Sequence, residues 1–459
     1  MKVDCLIAEI GSTTTTVNVF DHLTSAPQFL GQGLALSTPK DVQIGLKAAM
    51  EDFNVRHHLS IEPNTIMASS SAAGGLKMSV HGLVYDMTVK AAKEAALGAG
   101  ANIKMVTSGL LSEDNLNQIK QLNLNIIMIA GGVDYGESET ALANAVKIAQ
   151  LKLSIPVIYA GNCVNHHAVT QAFQSSNQQD YLIISENVYP KIDEINIEGV
   201  RSVIHRVFEK HIIHAPGMSD IHQMVNGVII PTPGAVYEAC RLLQQTIGEL
   251  VCCDIGGATT DVVSIGASHN IDTNLSITPE PFAKRTVEGD LGVYINRMNL
   301  VNLIGRNELM RKLSISEDTL LHLLDTYQAI PTSQQMKLTK CLIDEALKVG
   351  MRRHAGVLRH YYQGSYQTNL IEGKDLRQIK NFIATGGALT QLPETKDMIQ
   401  SYLDLQDRNS LKPSSKTSIW IDRDYILASC GVLAKVNPTA SLALMLQSIG
   451  WEELRCTQE

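Results

Sequence analysis

Apolar positions along the chain fall into short runs with two periods. Residues 3–20, VDCLIAEIGSTTTTVNVF, interleave apolar, β-branched and small polar positions around a central Gly-Ser, which predicts a strand, a tight turn and a second strand. This is a β-hairpin with a Gly-Ser-Thr tip. After Pro39, KDVQIGLKAAMEDF reads as a helix, and TIMASSSAAGGL as a strand ending in small residues that allow close backbone approach. From about 88 to 185, helical patterns (TVKAAKEAALGAG, SEDNLNQIKQLN, ESETALANAVKIAQ, HHAVTQAFQ) alternate with strand patterns (IKMVTSG, NIIMIAGG, PVIYAG, DYLIISENV). Alternation at this spacing predicts a parallel sheet covered by helices, Rossmann-like or flavodoxin-like, inserted into a first lobe.

A third block opens with NGVIIPTPGAVYEACRLL, a proline-punctuated loop leading into an amphipathic helix, and continues into a second glycine-rich hairpin, ELVCCDIGGATTDVVSIG. A helical region is expected from about 288 to 363, then a strand, NFIATGGALTQL, and two closing helices in DRDYILASCGVLAKV and PTASLALMLQSIG. Residues 403–418 are the best candidate for a mobile loop. The expected organisation is a first-lobe core at 1–87, an inserted α/β module at 88–200 and a connecting segment at 201–246. A second lobe follows at 247–421, and C-terminal helices at 422–459 return to the first lobe.

With 459 residues the chain is long enough for about three domains or lobes with large cores. Its 38 basic and 46 acidic residues leave a net charge of −8, so there is no basic surplus to neutralise a nucleic-acid backbone. No apolar run approaches the roughly 18 residues of a membrane span, and MKVDCLIAEIG carries acids where a signal peptide would be apolar. A cytoplasmic protein is expected. The eight cysteines show no C-x-x-C and read as small buried hydrophobes in a reducing compartment; adjacent His57-His58 and His166-His167 are poor co-ligands for a metal.

Two hairpins share one grammar: Glu9-Ile-Gly-Ser-Thr-Thr-Thr15 and Asp254-Ile-Gly-Gly-Ala-Thr-Thr-Asp261. Each places an acid at a strand end, then glycine, then hydroxyl residues. That order suits a nucleoside triphosphate. Glycine removes the Cβ that would block the phosphates, backbone N–H groups and Thr hydroxyls donate to phosphoryl oxygens, and the acids hold Mg²⁺ through water. The candidate phosphate-binding residues are Gly11, Ser12, Thr13, Thr14 and Thr15, with Gly256, Gly257, Ala258, Thr259 and Thr260. Glu9 and Asp254 are candidate Mg²⁺ carboxylates, and Asp254, Asp261 and Glu9 the candidate catalytic acids. A third element, AlaThrGlyGlyAlaLeu at 384–389, puts Gly386, Gly387 and Ala388 where flat backbone can lie against a base, ribose or α-phosphate.

These elements, with PTPGAVYEA at 231–239 and Ala428–Ala434, occur in the order of the five-part signature of the actin-like ATPase superfamily, which the chain resembles. The resemblance implies a two-lobed, ribonuclease H-like fold carrying the inserted module. The segments ASSSAAGGLKMSVHGLV, AGGVDYGESETALANA, DIGGATTDVVS, TVEGDLG and DYILASCGVLA extend it: the chain is similar over nearly its whole length to the glutamate mutase accessory, or MutL-type, family. That likeness implies an ATP-driven chaperone that reactivates an adenosylcobalamin-dependent mutase by exchanging damaged cobalamin, with mutase subunits as partners. A homo-oligomer is allowed, and no nucleic-acid or membrane partner is expected. Two departures from the superfamily pattern matter. Glu9 stands where Asp is usual, and Ile230 where chaperone-like members carry an acid before the proline, so ATP hydrolysis is expected to be slow. A small-molecule kinase is the alternative function, and a non-catalytic filament protein a third.

Several residues have two readings. Asp261 is a water-orienting acid or a ladder-edge carboxylate; Glu288, with Asp290, is a nucleotide contact or an ordinary helix N-terminus; Ser69–Ser71 and Gly74-Gly75 line the cleft or pack a turn. The GGVDYGES turn is an anion site at a helix N-terminus or a compact turn. Asp220-Ile221-His222 starts a base-off cobalamin signature but has Val225 where glycine belongs, so the chain itself is expected to bind no cobalamin.

Overall fold

In the computed structural model the described residues are all but 39–40, 71–75, 100, 213–223, 268–279, 364–365 and 452–459. They form two compact units: Met1–Ala72 with Asp220–Glu459, and Ala73–Ser219 between them.

The larger unit contains one architecture twice. In its first half, β1 (Lys2–Ile10), β2 (Thr14–Asp21) and β3 (Gln28–Leu36) form an antiparallel meander, and β4 (Glu62–Ser70) and β10 (Ile229–Pro231) add in parallel beside β1. The second half repeats this with β11 (Leu250–Ile255), β12 (Thr260–Ile265) and β13 (Ala283–Glu288) as the meander, and β16 (Asn381–Thr385) and β17 (Ser418–Ile421) as the parallel pair. This doubled five-stranded sheet is the actin-like ATPase fold. Each last strand runs into a helix: β10 into α7 (Thr232–Ile247), which carries proline in its first turn where no N–H partner is needed, and β17 towards α14 (Leu427–Leu433).

α7 and α14 cross within one core that draws on both sheets, from Cys5, Ile7 and Met67 to Cys252, Val263 and Ile383. The crossing is close. A Cβ on Gly431 would stand 1.8 Å from the Ala235 carbonyl oxygen, so glycine is the side chain that lets these two backbones touch. Gly431→Val is expected to destabilise the protein by about 3 kcal/mol or more, read from urea melts, because neither backbone can yield without displacing a sheet.

The smaller unit is a parallel sheet of β5 (Leu76–Gly82), β6 (Ala101–Ser108), β7 (Ile126–Ile129), β8 (Val157–Tyr159) and β9 (Leu182–Ile184) in the order β6-β5-β7-β8-β9. It carries α2 (Lys90–Gly98), α3 (Glu113–Gln121), α4 (Glu139–Gln150), α5 (His166–Ser175) and α6 (Glu198–Ile212). The order is flavodoxin-like, with the chain entering at β5, stepping to one side once, and then building outward on the other.

The unit is larger at both ends than the expected 88–200. β5 pairs with both β6 and β7, and so belongs to this sheet rather than to the first lobe, while α6 packs against α2. Two further expectations are corrected. Helices α8 (Arg297–Ile304), α9 (Arg306–Leu313), α10 (Glu317–Asp325) and α11 (Met336–His354) fill the region expected to be helical, but it starts as β13 and closes as a hairpin of β14 (Val357–Gln363) and β15 (Tyr366–Glu372). Ala355-Gly356 ends α11, and VLRHYYQ then brings in branched and aromatic residues that favour a strand. Strands β3 and β13 are additions to the expected hairpins. No described helix is long and apolar enough to cross a membrane.

Candidate functional site

The two glycine hairpins have matching construction. Gly11 N donates to Thr14 O at 2.9 Å, and Gly256 N donates to Thr259 O at 2.9 Å. In each half, the segment leaving the third strand clamps the hairpin from behind. Ser37, just past β3, donates its N–H to Thr13 O (3.0 Å) and its hydroxyl to Gly11 O (2.6 Å). Past β13, the N–H groups of Val293, Tyr294 and Ile295 and the Asn296 amide take up the carbonyls of Gly256, Gly257 and Ala258 at 2.8–3.2 Å. Because trans peptide planes oppose C=O and N–H, this turns the N–H groups of Gly257, Ala258 and Thr259 to the other side, and all three residues line a cavity.

The hairpins meet across that cavity. A Cβ on Gly257 would stand 2.5 Å from Thr13 Oγ1, so the tips are in contact although 244 positions separate the two residues (257 − 13). About 90 Å³ of space is lined by Glu9, Gly11, Ser12, Thr13, Thr14 and Thr16 from one side and Asp254, Gly256–Thr259 and Asp261 from the other, with Thr232, Pro233 and Tyr425 completing it. Thr13, Thr14, Gly256, Gly257 and Tyr425 also border a second, larger cavity of about 280 Å³. Gly387 and Ala388 lie in its wall, with Tyr294, Tyr327, Ile330, Pro331 and Met336. The Arg297 guanidinium faces the rings of Tyr294 and Tyr327 at 5.7 and 5.8 Å from their centroids. Two joined compartments result, one polar and carboxylate-lined, the other apolar and aromatic.

Burial governs the carboxylates. It pushes the Glu9 carboxyl up to about 8 and that of Asp254 to about 7, reinforced by each one's acidic neighbours: Asp254 beside Glu9, and Asp261 beside Asp254. Arg285 pulls Asp254 back in part. Tyr425, itself in the left-handed region at φ 52°, donates its hydroxyl to Glu9 Oε1 at 3.2 Å, while Glu9 Oε2 is buried with no hydrogen-bond partner. Asp261 accepts from the buried Arg285 guanidinium and, at 3.1 Å, from Thr259 Oγ1. Asp422 is held by Thr385 Oγ1, Ser448 Oγ and two backbone N–H groups at 2.6–3.1 Å, which fixes the turn bearing Tyr425.

The raised carboxyls make stability depend on pH. Unfolded, Glu9 and Asp254 lose their protons near 4.5 and 3.8; folded, they keep them to about 8 and 7. The folded chain binds more protons between those limits, so this stabilisation is complete below about pH 4 and is lost as pH rises through 7 to 8. Each proton contributes at most about 1.4 kcal/mol per pH unit. Thermal melts of ligand-free protein are expected to show Tm falling between about pH 5.5 and 8.5, with Glu9→Gln flattening the slope.

Not every expected residue reaches the cavities. Thr15 and Thr260 are corrected: strand side chains alternate, so while Thr14, Thr16, Thr259 and Asp261 face inward, Thr15 bonds Ser37 Oγ (2.9 Å) and Thr260 bonds Leu291 O (2.9 Å) on the opposite faces. Glu288 is neither a helix N-terminus nor a cavity residue; it ends β13, and its carboxylate, like that of Asp290, pairs with Arg353. Gly386 backs on the Asp254 carboxylate, 2.3 Å from where its Cβ would be. Ser69 meets the cavity indirectly, accepting from Thr232 Oγ1 at 3.2 Å. Ser71, Gly74-Gly75 and Asp220–His222 lie outside the described residues. Helix α4 has its own anion: Glu137 Oε1 accepts from the N–H groups of Glu139 and Thr140, so GGVDYGES is a compact turn. Thr16, Thr232, Pro233 and Tyr425 are lining residues beyond the expected site residues, although Thr232 and Pro233 fall in PTPGAVYEA and Tyr425 in DYILASCGVLA. Period-2 alternation along β2 is the signal that finds Thr16.

The family model described as MutL protein matches residues 5–449. The chain belongs to the MutL family. Protein MutL of Clostridium tetanomorphum is 34% identical over 462 residues, covering 96% of this chain and 98% of that protein. Among solved structures, similarity is found to nucleotide-free acetone carboxylase (14% identity, TM-score 0.38, 94% of this chain and 70% of that one) and to a glycerol dehydratase reactivase (10%, 0.34, 94% and 99%). Within the MutL family chain described here, the paired hairpins, the Tyr425–Glu9 bond and the clamps behind each turn form one continuous site.

Proposed function

We propose that this MutL family protein binds MgATP between its two hairpins, hydrolyses it slowly, and uses the nucleotide cycle to maintain an adenosylcobalamin-dependent mutase by promoting exchange of damaged cobalamin. The observation that carries this reading is the contact of Thr13 with Gly257 across a carboxylate-lined cavity. Thr13, Thr14 and the hairpin amides would hold the phosphates, with the aromatic compartment beside Gly387 and Ala388 receiving the base.

The residues fit a divalent cation. Glu9 and Asp254 are two carboxyls whose burial and acidic neighbours disfavour ionisation, and Glu9 Oε2 has no other partner. No group of three or more His, Cys, Asp and Glu side chains that could hold a metal is found among the described residues, so phosphate and water would complete the coordination of Mg²⁺. The cation would neutralise charge on the transferring phosphoryl group. Asp254 and Asp261 would orient water and accept its proton, without help from Ile230, which is apolar and buried.

The deciding experiment starts from a glutamate mutase inactivated by turnover, given fresh adenosylcobalamin, this protein and MgATP. Activity is expected to return, and Asp254→Ala is expected to fail. Recovery without nucleotide would contradict the mechanism, and absence of ATP-binding heat in calorimetry would contradict the site.

A further inference from the structure

The described part of the Ala73–Ser219 unit exposes six large hydrophobic side chains, and all six stand at one edge. Val84 and Tyr85 follow β5, Leu110 follows β6, Tyr135 follows β7, Val164 follows β8 and Ile192 follows β9, so every loop leaving the carboxyl end of a strand contributes. Tyr135 is 86% exposed, Ile192 70% and Leu110 61%. Soluble surfaces seldom gather apolar groups at one end in this way without a partner to cover them.

These side chains are held out on rigid backbone. Tyr135 sits in the left-handed region at φ 64°, a conformation unfavourable for an aromatic residue. The fully buried Asn162 maintains it, accepting from the N–H groups of Tyr135 and Val164 at 3.1 Å and donating to the carbonyls of Gly136 and Glu137. One side chain therefore fixes both the loop that presents Tyr135 and the loop that presents Val164. Asn187 ties in the next loop, donating to Gly132 O and Asp134 Oδ1 at 3.0 Å. Apolar groups on preorganised backbone lose little entropy when covered.

Charge selects the occupant. Among the described residues around the apolar groups, exposed Asp86, Glu113, Asp114, Glu137, Glu139, Asp193 and Glu194 outnumber the lysines: exposed Lys191 is paired with Glu194 at 3.3 Å, half-buried Lys93 lies over the Tyr85 ring, and half-buried Lys147 donates to Leu111 O. An acidic rim repels nucleic acid, anionic lipid and the same edge of a second copy, and complements lysine and arginine.

We propose that the carboxyl edge of the parallel sheet is a docking surface for a protein bearing an apolar patch rimmed by basic residues. Resting on the reading above, we assign that partner as a mutase subunit. Biolayer interferometry with the full chain immobilised, and each purified glutamate mutase subunit as analyte, tests it. One subunit is expected to bind, more weakly as salt is raised. The Leu110→Ser/Tyr135→Ser and Glu113→Lys/Asp114→Lys variants are each expected to bind at least about tenfold more weakly while retaining ATP-binding heat. Binding by both variants within twofold of the unaltered chain overturns the docking surface and leaves the mutase reading intact. No binding of either subunit by the unaltered chain overturns both.

Discussion

Asp254→Asn is expected to yield a folded protein whose ATP turnover falls at least about 100-fold and whose ligand-free form melts roughly 2–5 °C higher than the unaltered chain at pH 8. The two effects have one cause. Asp254 faces the cavity beside two other acids, Glu9 and Asp261, and burial has already raised its carboxyl to about 7. At pH 8 the folded chain must hold this group ionised near like charges; asparagine keeps the shape and removes the charge. The same change takes away the oxygen that would orient the cation or the attacking water. A carboxylate kept only for packing would behave otherwise, because its loss would leave Tm unchanged or lower and turnover intact. Differential scanning fluorimetry at about pH 6 and pH 8, together with phosphate release, separates these outcomes.

The largest loss of stability is expected at Arg285. Its side chain is 1% exposed and its guanidinium donates to Asp261, itself 5% exposed. Arg285→Met leaves a carboxylate inside the protein without its cation, at a cost of about 3–5 kcal/mol. Adding Asp261→Asn removes that uncompensated charge and is expected to recover most of the loss in urea melts. The double variant also decides between the two roles that residue order left open for Asp261. If the carboxylate only anchors the ladder between β12 and β13, the refolded double variant hydrolyses ATP as before. If it orients water, the variant folds, binds ATP with undiminished heat and releases no phosphate.

Some site residues were legible because the information is local. Gly11 and Gly256 each stand in a tight turn between two strand-forming runs, a local order that predicts a hairpin. Alternation within β2 and β12 also settles which hydroxyls point inward, so Thr16 could have been chosen over Thr15 from the same residues. Tyr425 had no such signal. It sits in an irregular turn before α14, and reaches Glu9 only because Asp422 accepts from Thr385, Ser448 and the backbone of Ile426 and Leu427. Glu288 was misplaced for a related reason. An acid before a glycine reads as a helix start, whereas pairing with β12 makes AKRTVE a strand and brings Arg353, 65 positions away, onto the carboxylate.

Hydrophobic period, turn chemistry and proline placement acted within a few residues of each position, and from them followed the two hairpins, the α/β alternation of the inserted segment and the helices after β10 and β17. The contact of Thr13 with Gly257, the raised carboxyls of Glu9 and Asp254, the burial of Arg285 against Asp261 and the gathering of exposed apolar groups at one sheet edge were decided by tertiary structure. Electrostatic energy and burial depend on distance through space, and groups remote in sequence acquire that distance only when the chain folds.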